Sequence, residues 1–257
     1  MTPLQTAVLG AVQGLTELLP VSSSAHLALA SRVLRWPDQG LTYDVALHWG
    51  TLAALVGYFR KDLWELARAA ISPSPSTERR LAWGLCLGTV PAAVTGLLLE
   101  DRVETLLRNP VWIAVFMIAF GILLGVVDRM ARKQGDIRGM TLADCLWVGL
   151  AQSLALLPGV SRSGITLTAA LFLGLRRVEA VRFSFLLSVP IVFGAGVLKL
   201  RHLDPAALDL SFWTGILVSA GTGLGAIAFL LRFVRERSLL AFAVYRVAAG
   251  ALILLLL

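Results

Sequence analysis

Three stretches of this chain, Leu81 to Leu99, Asn109 to Val127 and Leu210 to Leu231, contain no Asp, Glu, Lys or Arg, and Ser238 to Leu257 contains only Arg246. Each is long enough to cross hydrocarbon about 30 Å thick, which takes about 20 helical residues. Lipid offers the backbone no hydrogen-bond partner, so runs of this length and composition must fold as helices that satisfy themselves. Composition agrees: the chain is 57% hydrophobic and 15% charged, where soluble domains run at roughly 25% charged. Soluble enzymes, secreted disulfide scaffolds and disordered chains are excluded. The net charge of +7 is not interleaved with aromatics in a polar domain, as nucleic-acid binding would require. In a membrane protein it has a simpler source, because cytoplasmic loops collect Lys and Arg. Cys86 and Cys145 lie in apolar sequence without CxxC spacing and read as buried, chemically quiet thiols.

Six segments read as full spans, at about 42–59, 81–99, 110–127, 183–200, 211–231 and 239–257. Two others are apolar but interrupted: 1–31 by LLPVSSSAH and 142–175 by LLPGVSRSG. Each interruption sets Pro, Ser and small residues between half-length helical runs too short to cross. They are expected to be re-entrant helix-loop-helix pairs, tolerated at membrane depth where protein or a water-filled cavity satisfies the loop backbone. The first segment has no basic leader and carries Glu17, so it reads as mature structure rather than a cleaved signal.

The two interrupted segments also match each other at an offset of 139, at Gly10/Gly149, Gln13/Gln152, Leu15/Leu154, Leu18/Leu157, Val21/Val160, Ser22/Ser161 and Ser24/Ser163. The expected fold is therefore an all-α integral membrane protein, a single membrane domain built as an inverted repeat, with 1–128 as the first half and 140–257 as the second. Paired broken segments in such repeats point to a binding site near the midplane. Loop charges agree. If the 60–80 loop is cytoplasmic, the loops at 128–141, 176–182 and 232–237 fall on the same side, which then holds fifteen of the 23 basic residues. Both termini then face outward, and the two breaks enter from opposite sides.

Few polar groups remain in apolar surroundings, and most lie at the breaks. An ionisable side chain inside a membrane costs about 2.5–3.5 kcal/mol at a helix centre, so each is a functional candidate. Gln13 and Glu17 are four apart on one helix face, and Ser23 and His26 are three apart at the start of the next half-helix. In both breaks Ser precedes a new helical run, whose first amides are unpaired and carry partial positive charge. Two such ends with Arg162 between them suit an anion, above all phosphate. Glu17 would repel phosphate, and so implies either a divalent cation between them or a base for proton transfer. Asp44 and His48 share a face, either lining the cavity or forming a satisfied polar pair. Arg246 is expected to snorkel outward or pair structurally, and Gly215, Gly221, Gly223 and Gly225 to permit close helix packing.

QGLTELLPVSSSAH with LAQSLALLPGVSRSG resembles the membrane-embedded undecaprenyl-diphosphatase family, also called bacitracin-resistance proteins. The likeness extends to VRFSFLLSVP at 181–190 and to AVYR at Arg246, with Gln13 where many members have Glu, and Ser24 and Ala25 where Thr and Gly are common. It implies hydrolysis of undecaprenyl diphosphate to undecaprenyl phosphate for peptidoglycan synthesis. It further implies a bacterial inner-membrane location, an outward-facing site and a homodimer. On its motifs Glu17, Ser23, His26 and Arg162 would be catalytic. Gln13, Ser22, Ser24, His48, Gly159, Ser161, Ser163 and Gly164 would surround the substrate, with Glu17 holding Mg²⁺ or Ca²⁺. Ser23 or a water would attack the terminal phosphorus, and either Glu17 or His26 would take the proton. Two rivals are a polyprenyl-phosphate transporter or scramblase, and a structural membrane subunit. A third, the unrelated phosphatidate-phosphatase type of lipid phosphatase, needs His six residues after Arg162, where this chain has Thr168.

Overall fold

A computed structural model describes residues 1–36, 40–107, 109–200 and 208–256. Among them the chain is helical, with no strand beyond one isolated bridge between Gly135 and Leu175. The helices are α1 (Pro3–Leu18), α2 (Ser23–Val33), α3 (Gly40–Tyr58), α4 (Arg60–Ile71), α5 (Thr77–Leu107), α6 (Pro110–Met130), α7 (Leu142–Ser153), α8 (Arg162–Phe172), α9 (Arg177–Leu200), α10 (Leu210–Glu236) and α11 (Leu240–Leu255), with short 3₁₀ turns at Ile137–Gly139 and Leu154–Leu156.

Among the described residues four helices are long and apolar enough to cross a membrane: Thr77–Leu99 within α5, then α6, α9 and α10. The chain is a multi-pass membrane protein. Of the other two expected spans, α3 has 19 residues and carries Asp44 and His48, and α11 has 16. Both breaks fall where the sequence places them. The first separates α1 from α2, and the second separates α7 and its 3₁₀ extension from α8. The 60–80 segment is not a plain loop, because α4 occupies most of it.

Three of the four segments expected to share one side, 60–80, 128–141 and 176–182, are joined by polar contacts. Arg182 pairs with Asp62 at 2.6 Å, Arg80 donates to the Arg138 carbonyl at 2.8 Å, and Arg176 pairs with Asp136 at 2.9 Å. Buried Asp128 binds Arg177 through both carboxylate oxygens and also accepts from the Leu239 amide. One main apolar core runs beneath this end, from Leu18 and Leu55 through Phe183 and Phe185 to Leu230 and Phe242.

Close helix approach positions the broken segments. α1 packs on α10, and α7 packs on α5. A Cβ on Gly14 would sit 2.0 Å from the Thr222 hydroxyl and 2.5 Å from the Ser219 carbonyl, and one on Gly149 would sit 2.2 Å from the Gly88 carbonyl. Gly215 and Gly223 also meet neighbours, as expected, but Gly221 and Gly225 face open space. Cys145 is buried; Cys86, expected to be buried, is exposed, and neither thiol is bonded. Replacing Gly14 with Val should force α1 off α10 and cost on the order of 1–3 kcal/mol. It should lower the unfolding midpoint in detergent, while Gly221→Ala should leave that midpoint in place.

Candidate active site

The two breaks meet. Each arrives on a helix that ends in an extended residue after Leu, turns through Pro or Gly, and restarts at a serine with positive φ. Ser22 sits at φ 76° and ψ 95°, and Ser161 at φ 71° and ψ 112°. Both are N-caps, and left-handed backbone at a residue with a Cβ is uncommon and concentrates at functional sites. The internal contacts repeat as well: the Ser22 and Ser24 hydroxyls bond at 3.2 Å, and those of Ser161 and Ser163 at 3.3 Å. Ser163 then donates across the gap to the Leu19 carbonyl at 3.0 Å, tying one loop to the other.

Glu17 lies at the junction and is almost fully buried. Its Oε1 accepts from Arg162 Nη2 at 2.7 Å. Its Oε2 accepts from the Ser23 hydroxyl at 2.5 Å and from Gln13 Nε2 at 3.4 Å. His48 on α3 brings Nε2 to 3.9 Å from the same oxygen. One carboxylate thus collects Gln13, Ser23, Arg162 and His48 from four helices. Arg162 Nη1 and Gln13 Oε1 are buried without a hydrogen-bond partner among the described residues. The unpartnered guanidinium nitrogen of Arg162 is a donor available to an anion's oxygen at the carboxylate that also holds Ser23.

Other candidates stand further back. His26 does not touch Ser23 or Glu17. Its Nδ1–H donates to the Ser22 carbonyl at 2.7 Å, and its Nε2 accepts from the Tyr245 hydroxyl at 2.6 Å, with the two rings stacked. Ser24 is exposed at the rim. Gly159, at φ 96°, lies against α6, where a Cβ would meet the Ile113 carbonyl at 2.4 Å. The Ser161 hydroxyl accepts from the Gly164 amide and so caps α8.

Arg246 is fully buried rather than snorkelling, and its structural pairing is with the second loop. Its Nη2 donates to the Gly159 carbonyl at 2.9 Å and to the Val160 carbonyl at 2.7 Å. Sequence reasoning undervalued it, although a lone charge in twenty apolar residues was the signal. Tyr245 was missed altogether, and nothing in the sequence singles out a tyrosine beside it.

Among the described residues no group of three or more His, Cys, Asp or Glu gathers as a metal cluster. The Glu17 carboxylate, the unpartnered Gln13 carbonyl oxygen and the Ser23 hydroxyl are nevertheless hard oxygen donors. They fit Mg²⁺ or Ca²⁺, which keep open positions for phosphate oxygens.

Fold and site together define a multi-pass membrane protein whose broken helices carry a buried Ser–Glu–Arg cluster into the apolar interior. The chain belongs to the family described as Bacitracin resistance protein BacA, whose model matches residues 6–252. It is similar to proteins named undecaprenyl-diphosphatase. The one from Geobacter metallireducens is 50% identical over 99% of this chain and 98% of its own length, and that from Trichlorobacter lovleyi is 49% identical over 97% and 95%. The relative from Moorella thermoacetica is 48% identical over 98% and 97%.

Breaking one partner of a buried ion pair costs more than replacing both with groups that need no counter-charge. Glu17→Gln and Arg162→Met should each lower the unfolding midpoint in detergent by more than the double variant does. An additive double-mutant cycle would mean that the pair is not coupled.

Proposed function

We propose that this chain is a membrane phosphatase that hydrolyses undecaprenyl diphosphate to undecaprenyl phosphate and inorganic phosphate, returning the lipid carrier to peptidoglycan synthesis. The observation that carries this reading is the Ser23 hydroxyl donated to Glu17 beside a guanidinium with a free nitrogen. The near full-length likeness to proteins of that name supports it.

In this mechanism Arg162 and the amides opening α8 bind the terminal phosphate, leaving the polyprenyl chain in the lipid. Phosphoryl transfer needs positioning and charge neutralisation more than covalent help from the protein. Ser23 attacks the terminal phosphorus, its proton passes to Glu17, and undecaprenyl phosphate leaves as the bridging P–O bond breaks. Glu17 hands that proton to the departing phosphate oxygen. Water then hydrolyses the phosphoserine, the freed carboxylate taking the water's proton and returning it to the Ser23 oxygen as the serine P–O bond breaks. Glu17 is favoured over His26 as base because the hydroxyl points at the carboxylate, while both His26 nitrogens are engaged elsewhere. His26 instead braces the first loop against α11. Glu17 and Gln13, with Ser23, would hold Mg²⁺ or Ca²⁺, which when bound supplies positive charge to the phosphate oxygens.

The same reading carries the finer architecture. Six spans flank two re-entrant pairs in an inverted repeat of 1–128 and 140–257. The matched loop geometry and the matched packing of α1 on α10 and α7 on α5 support it. The joined basic segments form the cytoplasmic end, which sets an outward-facing site in a bacterial inner membrane. The homodimer rests on family likeness alone.

Purified protein should release phosphate from a long polyprenyl diphosphate. Ser23→Ala and Arg162→Ala should each lower kcat by at least roughly a hundredfold, in the range set by losing an activated nucleophile or a transition-state charge contact. Tyr245→Phe should retain most of the rate. No release by the wild type would overturn the assignment, and full activity in Ser23→Ala would move the attack to water.

A further inference from the structure

The cluster around Glu17 contains one group that the mechanism leaves idle. His48 reaches the site from α3, and its Nδ1 lies 2.8 Å from the Asp44 carbonyl. A carbonyl oxygen only accepts, so Nδ1 carries a proton. In the neutral ring Nε2 is then a bare lone pair. That lone pair faces Glu17 Oε2 at 3.9 Å, too far for a hydrogen bond, with none other among the described residues. The Glu17 side chain is buried and that of His48 is 41% exposed; with Nε2 bare the two electron-rich atoms repel, and a cation bound between them would supply the missing positive charge. Two neighbouring ligands of one octahedral ion, each about 2.1 Å from it, stand about 3.0 Å apart, so a closure of about 1 Å would let both bind one cation. The fixed Nδ1–H is the support that metal-binding imidazoles ordinarily have. Gln13 adds a second signal, a buried carbonyl oxygen without a partner beside the same carboxylate.

We propose that His48 is a nitrogen ligand to the divalent cation at Glu17, so that this site binds Mn²⁺ and Co²⁺ more tightly than Mg²⁺ or Ca²⁺. The proposal rests on the reading that a cation sits at Glu17. Imidazole raises affinity for first-row transition ions along the Irving–Williams order, whereas an all-oxygen set suits the hard alkaline-earth ions. His48 thereby supplies the donor that Gln13, an amide rather than a carboxylate, provides only weakly.

The test uses the full-length protein in detergent, without substrate. Mn²⁺ binding is followed by the loss of free-ion EPR signal, and bound Mn²⁺ is probed by pulsed EPR for nitrogen coupling. Wild type should show an imidazole nitrogen on the metal. His48→Gln should lose that signal and weaken Mn²⁺ by roughly tenfold or more, the scale on which metal-site substitutions act, with Mg²⁺ and Ca²⁺ affinity changed less than about twofold. The nitrogen signal is read on the wild type, so a poorly folded variant does not blunt the test. Glu17→Gln separates the two readings. If it abolishes Mn²⁺ binding while wild type shows no nitrogen coupling, the cation site stands and His48 is not its ligand. If wild type binds no Mn²⁺, both fall.

Discussion

A carboxylate buried among apolar helices is tolerable only if its charge is met, and Glu17 is met three times over. Arg162, Ser23 and Gln13 donate to it. These groups come from different helices and from both halves of the chain, so the carboxylate is a structural keystone as well as a chemical group. Loss of its charge would strand Arg162 in a low-dielectric interior, which buried charges resist strongly. The glycine contacts of α1 and α7 serve the same end, since only close backbone approach brings both loops to one oxygen pair.

The two loops are one device used twice for different purposes. At the offset of 139, the helices of the two breaks superimpose in sequence: α2 begins at Ser23 and α8 at Arg162, and both serine caps before them take the same left-handed backbone. Ser23 and Arg162 therefore occupy equivalent positions, the first residue of the second half-helix. A short hydroxyl in one loop and a long guanidinium in the other reach a common centre. Two like turns with different side chains thus bring a hydroxyl and a guanidinium to one carboxylate.

Much of this was legible in the sequence because the bilayer punishes exceptions. The interruptions at LLPVSSSAH and LLPGVSRSG, and Glu17, Ser23 and Arg162 within them, stand out against apolar runs where a charge or a turn has no bland reason to be. Contacts made at a distance were not legible. The position of His26 suggested a base beside Ser23, yet its ring turns to Tyr245, 219 residues away in sequence. Arg246 was expected either to reach for water or to pair structurally, and the chain takes the second course by folding its helix under the second loop. Spacing along a helix predicts which face a residue shares; it does not predict which distant segment will lie against that face. α4 was obscured for a related reason, because its many charges mimic a loop.

The placement of Arg246 also bears on why the site should prefer a multiply charged ligand. Arg162 and Arg246 both belong to the second loop's surroundings, and Glu17 is the carboxylate that pairs with Arg162. Arg246 has only carbonyl oxygens for partners, and its Nε and Nη1 are buried without any. Carbonyl dipoles soften a buried cation but do not neutralise it. Arg246 holds the Gly159 and Val160 carbonyls and so fixes the backbone that leads into the Ser161 cap of α8. Around the junction two guanidinium groups, Arg162 and Arg246, face the single carboxylate of Glu17. A phosphate arriving from the lipid supplies the missing counter-charge. The energetic debt of burying an unpaired guanidinium is thereby settled only when an anion is present, which makes affinity for phosphate a consequence of how the apolar fold is wired.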